Sequence, residues 1–225
     1  MTHTMTRAQI NEILREGDAF IRQFGQILPP FAYWSPEEMR AEAAAGLRAR
    51  GLGWDITDYG AGRFDEMGLF LFTTRNGDAA DLSQGRGMLY AEKVMISRKG
   101  QVSPMHRHVV KAEDIINAGG GDLVVELFAP APDGTIDREA PVTVPSDGVA
   151  VTLPAGGHLR LRPGQSVTLM PGIWHAFWAE GEDCLIREVS TVNDDKTDNI
   201  FEAPIGRFAT IEEDAPPLHL LVSDY

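Results

Sequence analysis

A mainly β chain, built as a small barrel with two N-terminal helices packed outside it, is the fold this sequence predicts. Three observations carry that expectation. From Phe64 onward the chain breaks into short apolar runs separated by Gly, Pro, Asn and Asp, which is the texture of a sandwich or closed barrel. Ahead of Phe64 lie two helical patterns with clear start signals. Two histidine-bearing stretches far apart in sequence then choose the barrel, because they need one cavity in which to meet. The 225 residues, 43% of them apolar, suffice for one substantial core. The expected division is a helical extension over 1–63 and a barrel over 64–225, together one structural unit.

The first helix starts at Thr6, where Gln9 three residues later completes a capping box. Its apolar spacing runs through Ile10, Ile13, Leu14, Phe20 and Phe24, and the LPP at 28–30 ends it. Ser35, Pro36 and Glu38 combine an N-cap, a proline at the first helical position and a returning carboxylate, so a second helix is expected from there to Gly51. Trp54 to Arg63 reads as a linker. The strand-like segments that follow are GLFLFTT, MLYAEKVMIS, DLVVELFA, GVAVTL, HLRLRPG, SVTLMPG and DCLIREVSTV, with RNGD, RKGQ and PDG as turns. VKAEDIINAGG is expected to include a helical turn.

Composition narrows the function classes. A formal net charge of -13 argues against nucleic acid or an anionic membrane as partner, since both require clustered Lys and Arg. The start of the chain has no apolar run of secretory or spanning length, so a cytoplasmic location is expected. The single cysteine, Cys184, cannot form an intramolecular disulfide and reads as a buried apolar filler.

The chemistry is concentrated in GQVSPMHRHVVKAEDIINAGG, which places His106, His108 and Glu113 within eight residues. Alternate residues of a strand share a face, so both imidazoles can enter one cavity while Arg107 points away. Glu113 can return a carboxylate after a short connection, and His175 of PGIWH can close the set from a distant strand. Three imidazoles and a carboxylate suit a divalent Mn, Fe, Ni, Co or Zn ion with positions left open. The spacing Gly100, five residues, His106-x-His108, four residues, Glu113, six residues, Gly120 resembles the first cupin motif. Gly164, Gly172 and His175 fit the second motif, but its proline falls one place late at Pro171 and Ala179 replaces its closing asparagine. The likeness implies a cupin jelly-roll barrel. His3, His158 and His219 show no ligand spacing.

HRHVVKAEDIINAGGG, PGIWHAFW and above all REVSTVNDDKTDNIF resemble the D-lyxose isomerase family, strongly over about Leu89 to Phe201 and more loosely over the leading helices. The resemblance implies a manganese-dependent aldose–ketose isomerase acting on unphosphorylated D-lyxose to give D-xylulose, with D-mannose a poorer substrate. It implies metal ligands at His106, His108, Glu113 and His175, a small neutral monosaccharide as partner, and a homodimer.

Such a reaction needs a base, and Glu188 is the first candidate, expected on a strand that follows the one bearing His175; the bland alternative is a surface glutamate paired with Arg187. Lys111, between two ligands, is the candidate proton donor or enediolate stabiliser, or else an ordinary lysine of a polar connection. Asp194 and Asp195 read equally as sugar-hydroxyl ligands or turn caps. Trp174, Phe177 and Trp178 can form a platform for the sugar ring or belong to the core. Three other functions fit the cupin motifs: an Fe(II) dioxygenase, a phosphosugar isomerase, which would need a basic clamp, and a non-enzymatic sugar-binding protein.

Overall fold

In the computed structural model, residues 4–195 and 197–225 are described; His3 lies outside them. The strands are β1 (Met5–Thr6), β2 (Gly53–Thr57), β3 (Leu69–Asn76), β4 (Tyr90–Ser97), β5 (Ser103–His108), β6 (Glu113–Pro130), β7 (Ile136–Asp137), β8 (Val142–Ser146), β9 (Val149–Leu153), β10 (Gly157–Leu161), β11 (Ser166–Leu169), β12 (Trp174–Thr191), β13 (Asn199–Phe201) and β14 (Ile211–Glu212). Ten of them form one curled antiparallel sheet ordered β10-β6-β12-β4-β3-β2, with β5, β7, β11 and β13 paired to its sides. The long strands β6 and β12 are its spine, paired from Trp174 opposite Phe128 to Ser190 opposite Glu113. The inner face carries one apolar cluster, including Leu71, Met95, Ile115, Leu127, Phe177 and Ile186.

Helix α1 (Arg7–Gln23) starts at the expected box, with Thr6 and Gln9 each capping the other's backbone N–H. It ends at Gln23 rather than at the prolines, because Phe24 leaves helical geometry and Gly25 takes φ +69°. Its buried face, Ile10, Leu14 and Ile21, packs on the outer face of the sheet against Phe70, Phe72, Ile96 and Leu185. Gly17 sits where a Cβ would lie 2.3 Å from the Phe70 ring, so the helix approaches more closely than any side chain there would allow.

The second helix is not continuous. It divides into α2 (Pro36–Arg40), a 3-10 turn over Glu42–Ala44 and α3 (Ala45–Ala49), with Ala41 extended between them. Met39 and Ala44 both bury against Leu220, and residues five apart on a straight helix would diverge by about 140°. Arg48 holds the break by donating to the carbonyls of Met39 and Ala41 at 2.6 and 2.8 Å. Gly51, at φ +61°, provides the expected stop.

Trp54–Arg63, expected as a linker, instead opens with the fully buried strand β2. Trp54 and Ile56 join the helix-side core, and the alternation that turns them outward turns Asp55 and Thr57 inward. Those polar residues gave the segment its loop-like look. The helical turn expected in VKAEDIINAGG is absent: the stretch from Glu113 is strand, with Glu113, Ile115 and Asn117 buried in alternation.

His175 and Glu188, expected on successive strands, share β12. Thirteen residues apart, they would face opposite sides of a regular strand. The pairing is irregular between them, however: Glu180 faces Asp122 whereas Ile186 faces Asn117, so β12 gains one residue on β6. That net bulge reverses the alternation, and the inward series Phe177, Ala179 continues as Cys184, Ile186. Gly120 and Gly121 permit it, since a Cβ at either would lie 2.1 Å from the Asp183 carbonyl oxygen or 2.4 Å from that of Glu180.

Candidate active site

Strand β5 supplies His106 and His108 to one face, and β12 brings His175 directly opposite His106. Gly172 sets that approach: at φ +91° its N–H donates to the His108 carbonyl at 2.8 Å, tying the PG turn to the strand with the histidine pair. One ring nitrogen from each of the three histidines lies within 4.8 Å of the others, a cluster able to hold a metal ion. The His106 and His175 rings are fixed through Nδ1, at 2.7 Å from the Pro104 carbonyl and 3.1 Å from that of Ile173. With Nδ1–H donating, Nε2 of each carries a lone pair. Burial, then the neighbouring His175 and His108, keeps the His106 pKa well below the usual imidazole value. Burial and Lys111 lower that of His108.

Glu113 Oε1 faces this cluster at 3.3 Å from His108 Nε2 and 3.1 Å from His175 Nε2. Burial disfavours its charge, but Lys111 and the His108 contact outweigh that and hold the carboxyl well below its ordinary range. The His175 Nε2 atom and both His108 ring nitrogens are buried without a hydrogen-bond partner. Three buried imidazoles and a carboxylate that converge with these ring nitrogens unpartnered form a donor set that fits a divalent metal.

Lys111 reaches the same cavity, its Nζ 2.6 Å from Glu113 Oε2 and 3.0 Å from Glu188 Oε1. Burial opposes its charge; the carboxylates of Glu113, Glu188 and Asp195 outweigh it and raise the ammonium pKa. Asp198 shapes the turn that carries it, accepting from the backbone N–H of Val109, Val110 and Lys111 at 2.7 to 2.9 Å. Glu188 is 3% exposed and pairs with the lysines rather than with Arg187, which pairs on the outer face with Glu92 at 2.7 Å.

Sequence reasoning missed two cations. Lys93 of β4 lies 3.7 Å from Glu188 Oε1 and 3.3 Å from Asp195 Oδ1, and donates to Asn193 Oδ1 at 2.8 Å. Arg207 enters from the C-terminal segment, its Nη2 at 2.9 Å from Asp55 Oδ2 and 3.1 Å from Asp195 Oδ2, while its Nη1 is buried without a partner. Burial raises the Asp55 pKa despite Arg207. No motif marks either cation; the only trace was Lys93, beside Glu92, in the largely apolar strand β4, and Arg207 lies in a segment without periodicity.

Lys93, His106, His108, Lys111, Glu113, Glu188, Asp195 and Arg207 line a small cavity of about 40 Å³ together with Tyr59 and Phe177. Not every candidate is brought there. Asp195 lines the cavity, but Asp194 accepts from the Thr197 N–H and borders a separate groove. Trp174, on the opposite face of β12 from His175, donates to the Gly134 carbonyl and lines an outer groove beneath Arg107. Trp178 points outward against His158. His219 bonds the Trp34 carbonyl, so neither His158 nor His219 joins the cluster. Cys184 is fully buried, which pushes its thiol up to about 12.

The family model of D-lyxose isomerase matches residues 5–225. A Serratia proteamaculans protein named D-lyxose/D-mannose isomerase is 46% identical over 227 residues, covering 98% of each chain. An Escherichia coli O157:H7 protein of the same name is 44% identical with the same coverage. Among solved structures, the L-ribose isomerase of Geodermatophilus obscurus superposes with a TM-score of 0.64 at 20% identity, covering 94% of this chain and 100% of that one. The L-ribose isomerase of Acinetobacter sp. DL28 in complex with L-ribose gives 0.63 at 20% identity with the same coverage. At that distance the likeness speaks for the barrel alone, whereas the full-length match and the identities above 40% fix the lineage: this chain belongs to the D-lyxose isomerase family.

Proposed function

We propose that this protein is an aldose–ketose isomerase interconverting D-lyxose and D-xylulose, with D-mannose and D-fructose as a second pair. The observation that carries this reading is the adjacency of a proton-transfer pair to a metal cluster: Lys111 bridges Glu113, beside the histidines, and Glu188. The names of the two full-length relatives supply the substrate class. His106, His108, His175 and Glu113 would hold a divalent ion, manganese in our reading, whose Lewis acidity would favour the enediolate. A cytoplasmic homodimer completes the proposal.

The chain's own residues divide the rest of the work. Glu188 removes the proton from C2 of the open-chain aldose and returns it to C1, while the hydroxyl proton passes from O2 to O1. Lys111 donates hydrogen bonds to the oxygens on which negative charge develops, and so stabilises the enediolate in a water-poor cavity. Phe177 offers an apolar surface to the carbon chain, and Arg207 Nη1 and Asp195 face its remaining hydroxyls. A phosphate ester has no such place. Lys93, Lys111 and Arg207 are each already engaged with carboxylates, so the phosphate would compete with Asp55, Asp195, Glu113 and Glu188 for them.

A panel of aldoses and aldose phosphates, assayed for ketose formation after chelation and re-addition of single metals, tests the reading. The expected result is turnover of D-lyxose above D-mannose, restored best by manganese, with kcat/KM for D-lyxose at least roughly ten-fold above that for any pentose phosphate. A preference for the ester, or oxygen consumption in place of ketose formation, would overturn it.

A further inference from the structure

A clasp joins the start of α1 to the C-terminal segment of the described chain. Arg7, the first residue of α1, is 2% exposed. Its guanidinium meets Glu213 at 2.6 and 2.9 Å and Asp224 at 2.9 and 3.0 Å, a double fork that uses all three of its nitrogens. The contact is reinforced on both sides. Met5 and Thr6 pair in parallel with Ile211 and Glu212, the Ala8 N–H donates to Asp214 at 2.9 Å, and Asn11 bonds the Pro216 carbonyl and the Leu218 N–H at 2.9 and 2.8 Å.

The segment held this way continues upstream, within four residues, to Arg207. There it has its other anchors: Gly206 N–H donates to the Tyr59 carbonyl at 3.0 Å, and Thr57 Oγ1 donates to the Arg207 carbonyl at 2.6 Å. Only Nη2 of Arg207 is tied to carboxylates, those of Asp55 and Asp195. The guanidinium is thus pinned at one nitrogen, and the path of the backbone sets where Nη1 points.

We propose that Arg7 is a positioning residue for the cavity: by fixing residues 211–218 to the start of α1 it holds Arg207 with Nη1 toward the substrate hydroxyls. The assignment rests on the reading of the cavity as a sugar site, and gives the N-terminal helix a part in substrate affinity.

The test is a double-mutant cycle on the metal-loaded enzyme, with D-lyxose as substrate and amide hydrogen exchange read in parallel. Arg7→Met is expected to raise KM roughly ten-fold, with kcat within about a factor of two and metal content unchanged. In an Arg207→Met background the same change should add nothing to KM, because the residue through which it acts is gone. Arg7→Lys should recover part of the affinity. Arg7→Met should also speed exchange at the Gly206 amide, a readout that needs no turnover. Should Arg7→Met fail to fold, Asn11→Ala, which removes two bonds to the same segment, is read in its place. Additive effects on KM, or lower thermal stability with KM and Gly206 exchange unchanged, would overturn the proposal. A wild type that turns over no aldose would instead count against the sugar-site reading, and the Gly206 exchange would still decide the coupling.

Discussion

Glu188 meets two ammonium groups through a single oxygen, Oε1, with Lys111 at 3.0 Å and Lys93 at 3.7 Å. The second oxygen is therefore the one available to take a proton, and the two lysines fix its direction. Glu188→Gln should leave metal content and folding intact and lower kcat by about 10²–10⁴-fold, checked by turnover beside metal analysis. Unchanged kcat would remove Glu188 from the reaction. At this scale the sequence was legible where one element brings donors together: His106-x-His108 is a strand-face pair whatever surrounds it. It was not legible for Arg207, whose place depends on a segment with no periodicity, nor for Asp198, which sets the Lys111 turn through backbone contacts that leave no spacing signature.

The bulge between β6 and β12 shows how an element can decide chemistry without contributing a reacting group. Regular alternation would place His175 and Glu188 on opposite faces; the extra residue on β12 puts both in the cavity. Gly120→Val, whose Cβ would lie 2.1 Å from the Asp183 carbonyl oxygen on a backbone at φ +90°, should break the fit of the bulge and shift Glu188 out of its alignment with His175. The expected outcome is a folded but inactive or metal-poor protein, with stability lowered by roughly 1–4 kcal/mol, measured by denaturant unfolding and metal analysis. Full activity would show that the site does not depend on this register. The strand run DCLIREVS was readable from its composition, yet the reversal within WHAFWAEGEDCLIREVST was not, because it arises from the fit of two chains around Gly120 and Gly121. The broken second helix and the buried β2 have the same origin: the small core around Leu220 and the pairing with β3 override a local pattern of caps and polar residues.

For the molecule as a whole, excess acidity and a balanced interior coexist. The chain carries a net charge of -13, but the side chains that line its cavity match Lys93, Lys111 and Arg207 against Glu113, Glu188 and Asp195. Burial works against the charge of Asp195, but Lys93, Arg207 and Lys111 outweigh it and hold its pKa well below the ordinary value. A carboxylate whose folded pKa is depressed contributes stability that is present above its unfolded value, about 3.9, and is lost as pH falls through the folded one. Thermal stability of the metal-free protein should therefore decline below about pH 5, and Asp195→Asn should show a shallower decline over the same acid range. Parallel curves for the two proteins, measured by Tm against pH, would show that Asp195 is not the linked group.

The clasp at Arg7 joins residues 206 and 217 positions apart, and that separation has a kinetic meaning. Closing so long a loop is entropically slow, and during synthesis the helix emerges first and its partners last. A growing chain possesses His106, His108, Glu113 and His175 well before it possesses Arg207, Glu213 or Asp224. On the reading proposed above, the side chains that would hold an ion are delivered before those that would orient a sugar, so the order of synthesis runs from the chemistry outward to its discrimination.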